Sequence, residues 1–277
     1  MLVLAAALFL GSCDVASEPE PSTTRLPNRD FTLVLPIYDD MGLAQATTTL
    51  KPLFRREDRF MVVSGNNSAA VDPEWANRTA RELRTHYPHA RLYAATSGLD
   101  NLEKAVRQMD RIFEAVVYIY EPNFSNQPEF SWDFGETLGQ FRKAGVEAKR
   151  RGFRAVGKPT GRPLLQPGLT DYGWDYGTLS GAVDELLIQT QTYCEDGVEV
   201  FARAISKISR QYGAQNRVLP WFPQITVAPD APNGTSVERA TACLDEAREG
   251  GVDGTVWWSP QAVAPVVAFM EHLNRQP

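Results

Sequence analysis

Eight times along its length the chain alternates a short apolar run, rich in β-branched or aromatic residues, with a longer amphipathic stretch, and most of the short runs end in polar or aromatic residues. That rhythm specifies an α/β fold in which each strand is followed by a helix. Eight such units in one domain specify a (β/α)8 barrel of the TIM type, with its chemistry at the strand ends. The competing architecture is an open doubly wound sheet. Its usual cue, a Gly-rich phosphate turn after the first strand, is missing, because that strand runs into Tyr38-Asp39-Asp40-Met41.

The expected strands cover residues 31–38, 59–65, 90–97, 115–120, 153–158, 185–193, 218–227 and 254–258. Helices are expected over 42–56, from Pro73 with Asp72 as N-cap, over 101–113, up to about 152, over 197–212, over 236–249 and over 261–273. Leu102, Val106, Met109 and Phe113 mark one buried face by their spacing. After the fifth strand, GRPLLQPGLTDYGWDYGTLSGAVD stands where a crossover helix would be. A long Gly- and aromatic-rich excursion of that kind on a barrel is commonly functional.

The barrel domain spans 31–277, and its length suits a single domain. Residues 1–12, MLVLAAALFLGS, form an apolar leader too short for a hydrocarbon core, which needs about 20 residues. The run Leu10-Gly11-Ser12-Cys13 reads as a bacterial lipobox, so Cys13 is expected to be lipidated and to anchor the exported chain to the outer face of a membrane. A plain secretory signal is the alternative, and either exports the protein. Residues 13–30, rich in Pro, Ser, Thr and acids, read as a tether.

Net charge is −6 without any block of Lys or Arg, which argues against a nucleic-acid partner and leaves the lipid anchor as the expected membrane contact. Of three cysteines, Cys13 is used by the anchor; Cys194 and Cys243 are either a disulfide pair or two separate buried thiols. Sequons at Asn66, Asn77, Asn123 and Asn233 are read as coincidental in a chain with a bacterial leader. Only His86, His89 and His272 occur, all away from the expected strand ends, so neither a Ser-His-Asp triad nor a His-rich zinc centre is expected. No cofactor is called for, and any reaction must run on carboxylates, amides, Lys and Tyr.

Glu121, followed by Pro122, ends the fourth strand, where partial burial would raise its pKa toward that of a general acid; it could equally pair with Lys158 on the next strand. Asp39 and Asp40 are the first candidates for a second carboxylate, followed by Glu195 and Asp196, then Asp133, Asp171 and Asp175. Alternation along the sixth strand turns Leu187, Gln189 and Gln191 inward, either to a ligand or into a buried polar network. Aromatic residues crowd the same face: Tyr38, Tyr120, Trp132, Trp174, Tyr193, Trp221, Trp257 and Trp258. Beside carboxylates and amides, rings offer a sugar an apolar platform and partners for its hydroxyls. Asn67, Lys158 and Gln224 complete the expected ligand-binding set with Tyr38, Gln189, Gln191, Tyr193, Trp257 and Trp258.

With Tyr120-Glu121-Pro122 after strand 4, the inward amides and the Trp257-Trp258 pair, the chain resembles (β/α)8 glycoside hydrolases, and LPIYDD followed by VVSGNNSAAVDP resembles the spherulin-4-like barrels. The resemblance implies Glu121 as acid/base, Trp257 or Trp258 as sugar platform, and a polysaccharide or cell-envelope glycan as ligand. Large retaining families carry a second glutamate at the end of strand 7, where this chain has Gln224. Hydrolysis would then need another carboxylate or the substrate's own acetamido group. A non-catalytic carbohydrate-binding or scaffold lipoprotein is the alternative function.

Overall fold

The computed structural model describes residues 32–65, 69–122, 127–214, 224–226, 235–249, 254–257 and 263–275. The leader and tether, Cys13, Asn66, Asn67, Asn123, Trp221, Asn233 and Trp258 lie outside them. Strands and helices alternate: β1 (Leu33–Ile37), α1 (Asp40–Thr47), β2 (Arg59–Val63), α2 (Pro73–His86), β3 (Arg91–Ser97), α3 (Leu99–Gln108), β4 (Ala115–Tyr120), α4 (Phe134–Arg150) and β5 (Arg154–Pro159). The excursion after β5 holds two short 3₁₀ turns, Arg162–Leu164 and Thr170–Tyr172, and the one-turn helix α5 (Tyr176–Leu179). Then come β6 (Glu185–Leu186), α6 (Gln191–Asp196), α7 (Val198–Ala214), β7 (Gln224–Thr226), α8 (Val237–Glu249), β8 (Gly254–Trp257) and α9 (Val263–Arg275).

All eight strands pair in parallel, in the order β6-β5-β4-β3-β2-β1-β8-β7. The described residues show an open, curled parallel sheet covered by helices, with no pairing between β6 and β7 among them. The curl has a direct measure. Arg59 on β2 reaches Glu185 on β6 with 2.7 Å between Nη1 and Oε1. In a flat sheet those strands would lie about 19 Å apart, at roughly 4.8 Å per strand, so the sheet curls between β2 and β6.

Alternation along the strands divides the core in two. Val34, Met61, Val63, Tyr93, Ala95, Ala115, Val117, Ile119, Val156 and Leu187 form one cluster inside the curl. Their neighbours, such as Leu35, Val62, Val116, Tyr118, Leu186 and Ile188, join a larger cluster with the helices. That is the period-2 pattern of strands covered on both faces.

Local signals explain the helix starts. Asp72 Oδ1 accepts from Trp75 N at 3.0 Å, with Pro73 in the first turn, as its position implies. The first helix is shorter than expected: it ends at Thr47, and Pro52 sits in a 3₁₀ turn over Lys51–Leu53, because a ring without an N–H cannot continue the helix. The third helix also stops early, at Gln108, yet Met109 and Phe113 remain buried. Asn77 is buried in α2, donating to Gln108 O at 3.0 Å and accepting from Asp110 N at 2.8 Å, so its sequon is a structural amide.

Cys194 and Cys243 form a disulfide between α6 and α8, which decides between the two readings of that pair.

Candidate functional site

Strands β4 and β5 run in register, Ile119 beside Lys158 and Tyr120 beside Pro159. Glu121 continues the inward parity of Val117 and Ile119 just past the strand end. Its backbone is held by Gln127, whose Oε1 accepts from Glu121 N at 3.0 Å and whose Nε2 donates to Ile119 O. On the other side, Thr160 bridges to Gln189, and Gly161 N donates to Gln189 O at 2.9 Å. A Cβ on Gly161 would lie 2.2 Å from that carbonyl oxygen, so only glycine allows this approach.

Three inward side chains meet there. Lys158 Nζ donates to Gln189 Oε1 at 2.9 Å and stands 3.9 Å from Glu121 Oε1; Gln189 Nε2 returns a bond to Lys158 O at 3.3 Å. The Lys158 side chain is 4% exposed and that of Glu121 22%. Burial pushes the Glu121 carboxyl above the usual glutamate range, against the pull of Lys158 and Arg162. Burial also pulls the Lys158 ammonium down to about 8, which the Glu121 carboxylate opposes. Glu121 therefore stands within ion-pair distance of Lys158 with its carboxyl held above the usual range.

Beside this cluster is a cavity of about 50 Å³ lined by Glu121, Pro122, Thr160, Arg162, Gln189, Gln191 and Thr192. Apart from Pro122 its lining residues are polar, with amides, hydroxyls, one guanidinium and one carboxyl. Gln191 is not on a strand as expected. The sixth strand is short and the chain turns into α6 at Gln191, which places that residue and Thr192 at the rim. Gln191 Oε1 is buried with no hydrogen-bond partner among the described residues. An acceptor left in that state costs about 1–3 kcal/mol unless something donates to it.

Asp39 and Asp40 line a different, larger hollow of about 470 Å³ at the ends of β1 and β2, together with Tyr38, Ser64, Asp72 and Trp75. Asp39 caps α1, its Oδ1 accepting from Gly42 N at 2.7 Å, and Asp40 Oδ1 accepts from Trp75 Nε1 at 2.9 Å. Tyr193 is buried on α6 and does not line the cavity; its hydroxyl accepts from Leu165 N at 3.0 Å and donates to the Gly161 and Arg162 carbonyls, tying down the start of the excursion. Gln224 opens β7 and Trp257 closes β8.

Of the further carboxylates, Asp133 and Asp175 cap α4 and α5, and Glu195 on α6 is pushed up to about 7 by burial and by Asp196. Tyr120 and Trp174 pack with Phe130 and Tyr176 in the helix layer, away from the cavity. Sequence reasoning missed Gln127, Thr160, Arg162 and Thr192. Only Thr160 carried a signal, since it extends the inward alternation of Val156 and Lys158. Among the described residues no group of His, Cys, Asp and Glu could hold a metal ion.

The Lys158 shift has a testable sign. The folded state holds its proton less tightly than the unfolded chain, whose ordinary value is 10.5. The unfolded state therefore binds more protons between about pH 8 and 10.5, and this lysine's contribution to stability rises with pH across that window. Lys158→Met should lack that rise, so the stability of the native protein relative to the variant should increase with pH across the window. Parallel alkaline profiles for the two proteins would count against the assigned environment.

No family model and no curated protein matches the chain. Solved structures do. The glycoside hydrolase domain of PgaB (BpsB) from Bordetella bronchiseptica is similar with a TM-score of 0.58 at 12% identity, over 89% of this chain and 99% of that one. A chitinase from Chromobacterium violaceum is similar with a TM-score of 0.61 at 12% identity, over 89% and 99%. A GH18 chitinase from Pseudoalteromonas aurantia gives 0.59 at 11%, over 88% and 98%. At such identities the likeness is one of fold.

Proposed function

We propose that this chain is a glycan-binding domain on a glycoside-hydrolase-like scaffold, and that it holds a sugar residue at the cavity between Glu121 and Gln191. One observation carries the reading: Gln191, whose buried Oε1 has no partner among the described residues, belongs to a cavity lining of amides and hydroxyls. A sugar hydroxyl is a donor of the right size, and the remaining wall can both accept from and donate to a ring of hydroxyls. The closed (β/α)8 ring, export and a lipid anchor at Cys13 belong to the same reading. The Cys194–Cys243 bond favours an oxidising compartment. No described helix is long and apolar enough to cross a membrane.

Hydrolysis is the second reading, favoured by the raised pKa of the Glu121 carboxyl, which suits a general acid. No other carboxylate lines that cavity among the described residues, so Asp39 or Asp40 would have to act from the neighbouring hollow, or the substrate's acetamido group would serve as nucleophile.

Chitin oligosaccharides of two to six residues are the probes, because several of the similar structures are chitinases. Calorimetric titration should show binding without release of reducing ends. Gln191→Ala should weaken it about 2- to 12-fold, the worth of one hydrogen bond. Release of reducing ends that Glu121→Gln abolishes would replace this reading with the hydrolytic one, and absence of binding at every length would overturn it.

A further inference from the structure

The excursion after β5 does more than close the cavity. Its first 3₁₀ turn, Arg162–Leu164, supplies Arg162 to the cavity wall and packs against the second turn, Thr170–Tyr172. Tyr172 at the end of that second turn is 45% exposed. The other exposed large apolar residues among those described are Met41 and Val146, so Tyr172 is the one ring among them.

That ring is firmly braced. Tyr172 stacks on Trp132 with 6.3 Å between centroids and 26° between planes, and Trp132 meets Phe130 edge-on at 5.0 Å. The Trp132 carbonyl accepts from Trp174 Nε1 at 2.7 Å, and the Trp174 carbonyl accepts from Gln211 Nε2 on α7 at 2.9 Å. Gly173 follows in the left-handed region at φ 65°, a conformation that costs a glycine little and turns the chain back directly after the ring. A solvent-facing aromatic ring fixed in place in this way presents a flat apolar surface at little entropic cost to a ligand that covers it.

We propose that Tyr172, backed by Trp132, is a second sugar platform. The ligand is then an extended glycan chain that points a hydroxyl of one residue into the Glu121–Gln191 cavity and lays another residue across the ring. The proposal rests on the glycan-binding reading and adds to it the class of ligand, a polymer in place of a mono- or disaccharide. The chemistry is that of a pyranose C–H face on an aromatic ring. The same excursion carries both Arg162 and Tyr172, on two 3₁₀ turns that pack together.

Chitin oligosaccharides of two and six residues distinguish the two sites. The hexamer should bind the native protein about 2- to 12-fold tighter than the dimer, the worth of one aromatic contact. Tyr172→Ala should erase that gain and leave dimer affinity unchanged, while Tyr172→Phe, which keeps the ring face, should retain it. Equal affinities for dimer and hexamer, or a gain that survives Tyr172→Ala, would overturn the platform while leaving the cavity reading intact. Binding of the hexamer alone, sensitive to Tyr172→Ala, would support the platform and overturn the cavity reading. Binding of neither would overturn both.

Discussion

Replacing Glu185 with alanine is expected to destabilise the domain by about 3–5 kcal/mol, the usual consequence of removing one member of a buried ion pair. The Glu185 side chain is 3% exposed at the start of β6, inside the curl. Its Oε1 is 2.7 Å from Arg59 Nη1, and its Oε2 accepts from the Tyr93 hydroxyl at 3.1 Å and lies 3.5 Å from Arg154 Nη2. Arg154 also bonds Glu114 at 3.2 Å, and Glu114 forms a two-pronged pair with Arg91. The network closes the end of the sheet opposite Glu121. Burial raises the Glu185 carboxyl above its usual range, opposed by Arg59 and Arg154, so this carboxylate depends on its cations to stay charged.

Removing it withdraws one of the partners that hold Arg59 across the interior, the buried carboxylate, and an arginine cannot escape the cost by losing its proton. Glu185→Gln, which keeps an acceptor of the same shape, should cost less. Urea unfolding of the three proteins provides the comparison. A loss below about 1 kcal/mol for Glu185→Ala would place this pair among ordinary surface ion pairs and remove the argument that it pins β2 to β6.

The second large effect concerns the disulfide. Cys194 and Cys243 are 49 residues apart, and in the chain-entropy account a loop of that size gains about 4 kcal/mol from closure, within a measured range of roughly 2–5 kcal/mol for native bonds. Cys194→Ala/Cys243→Ala should lower stability by about 2–4 kcal/mol, and reduction of the native protein should move its unfolding midpoint the same way. Cys194 lies in the same short helix as Gln191 and Thr192, so the bond also fixes the cavity's rim to α8. Affinity for chitin oligosaccharides should therefore fall in the double variant even at temperatures where it remains folded. An unfolding midpoint unchanged by substitution or reduction would show that the helices hold this contact without the bond.

Much of the site was readable because strand alternation is a local property. Ala115, Val117, Ile119 and Glu121 share one parity, as do Val156 and Lys158, or Leu187 and Gln189, and the folded chain follows it in every case. That parity, once β4 pairs with β5, places Glu121 within ion-pair distance of Lys158. It failed at Gln191, because period 2 holds only while the chain stays in the sheet, and the exit after Gln189 is decided by pairing with β5 and by the close approach at Gly161. Gln127 carried no local mark either. A glutamine in a loop clips a strand end only once the fold brings the two together.

Residue order determined the alternation of strands and helices, the inward faces and the caps at Asp72 and Asp133, since each depends on a few neighbouring residues. The curl that brings Arg59 to Glu185, the joining of Cys194 to Cys243, the bond from Lys158 to Gln189 and the bracing of Tyr172 by Trp132 were decided by the tertiary structure. Each of these joins residues 31 to 126 apart in the chain. Contacts at that separation depend on how the sheet bends and where its loops return, and no short stretch of chain encodes that.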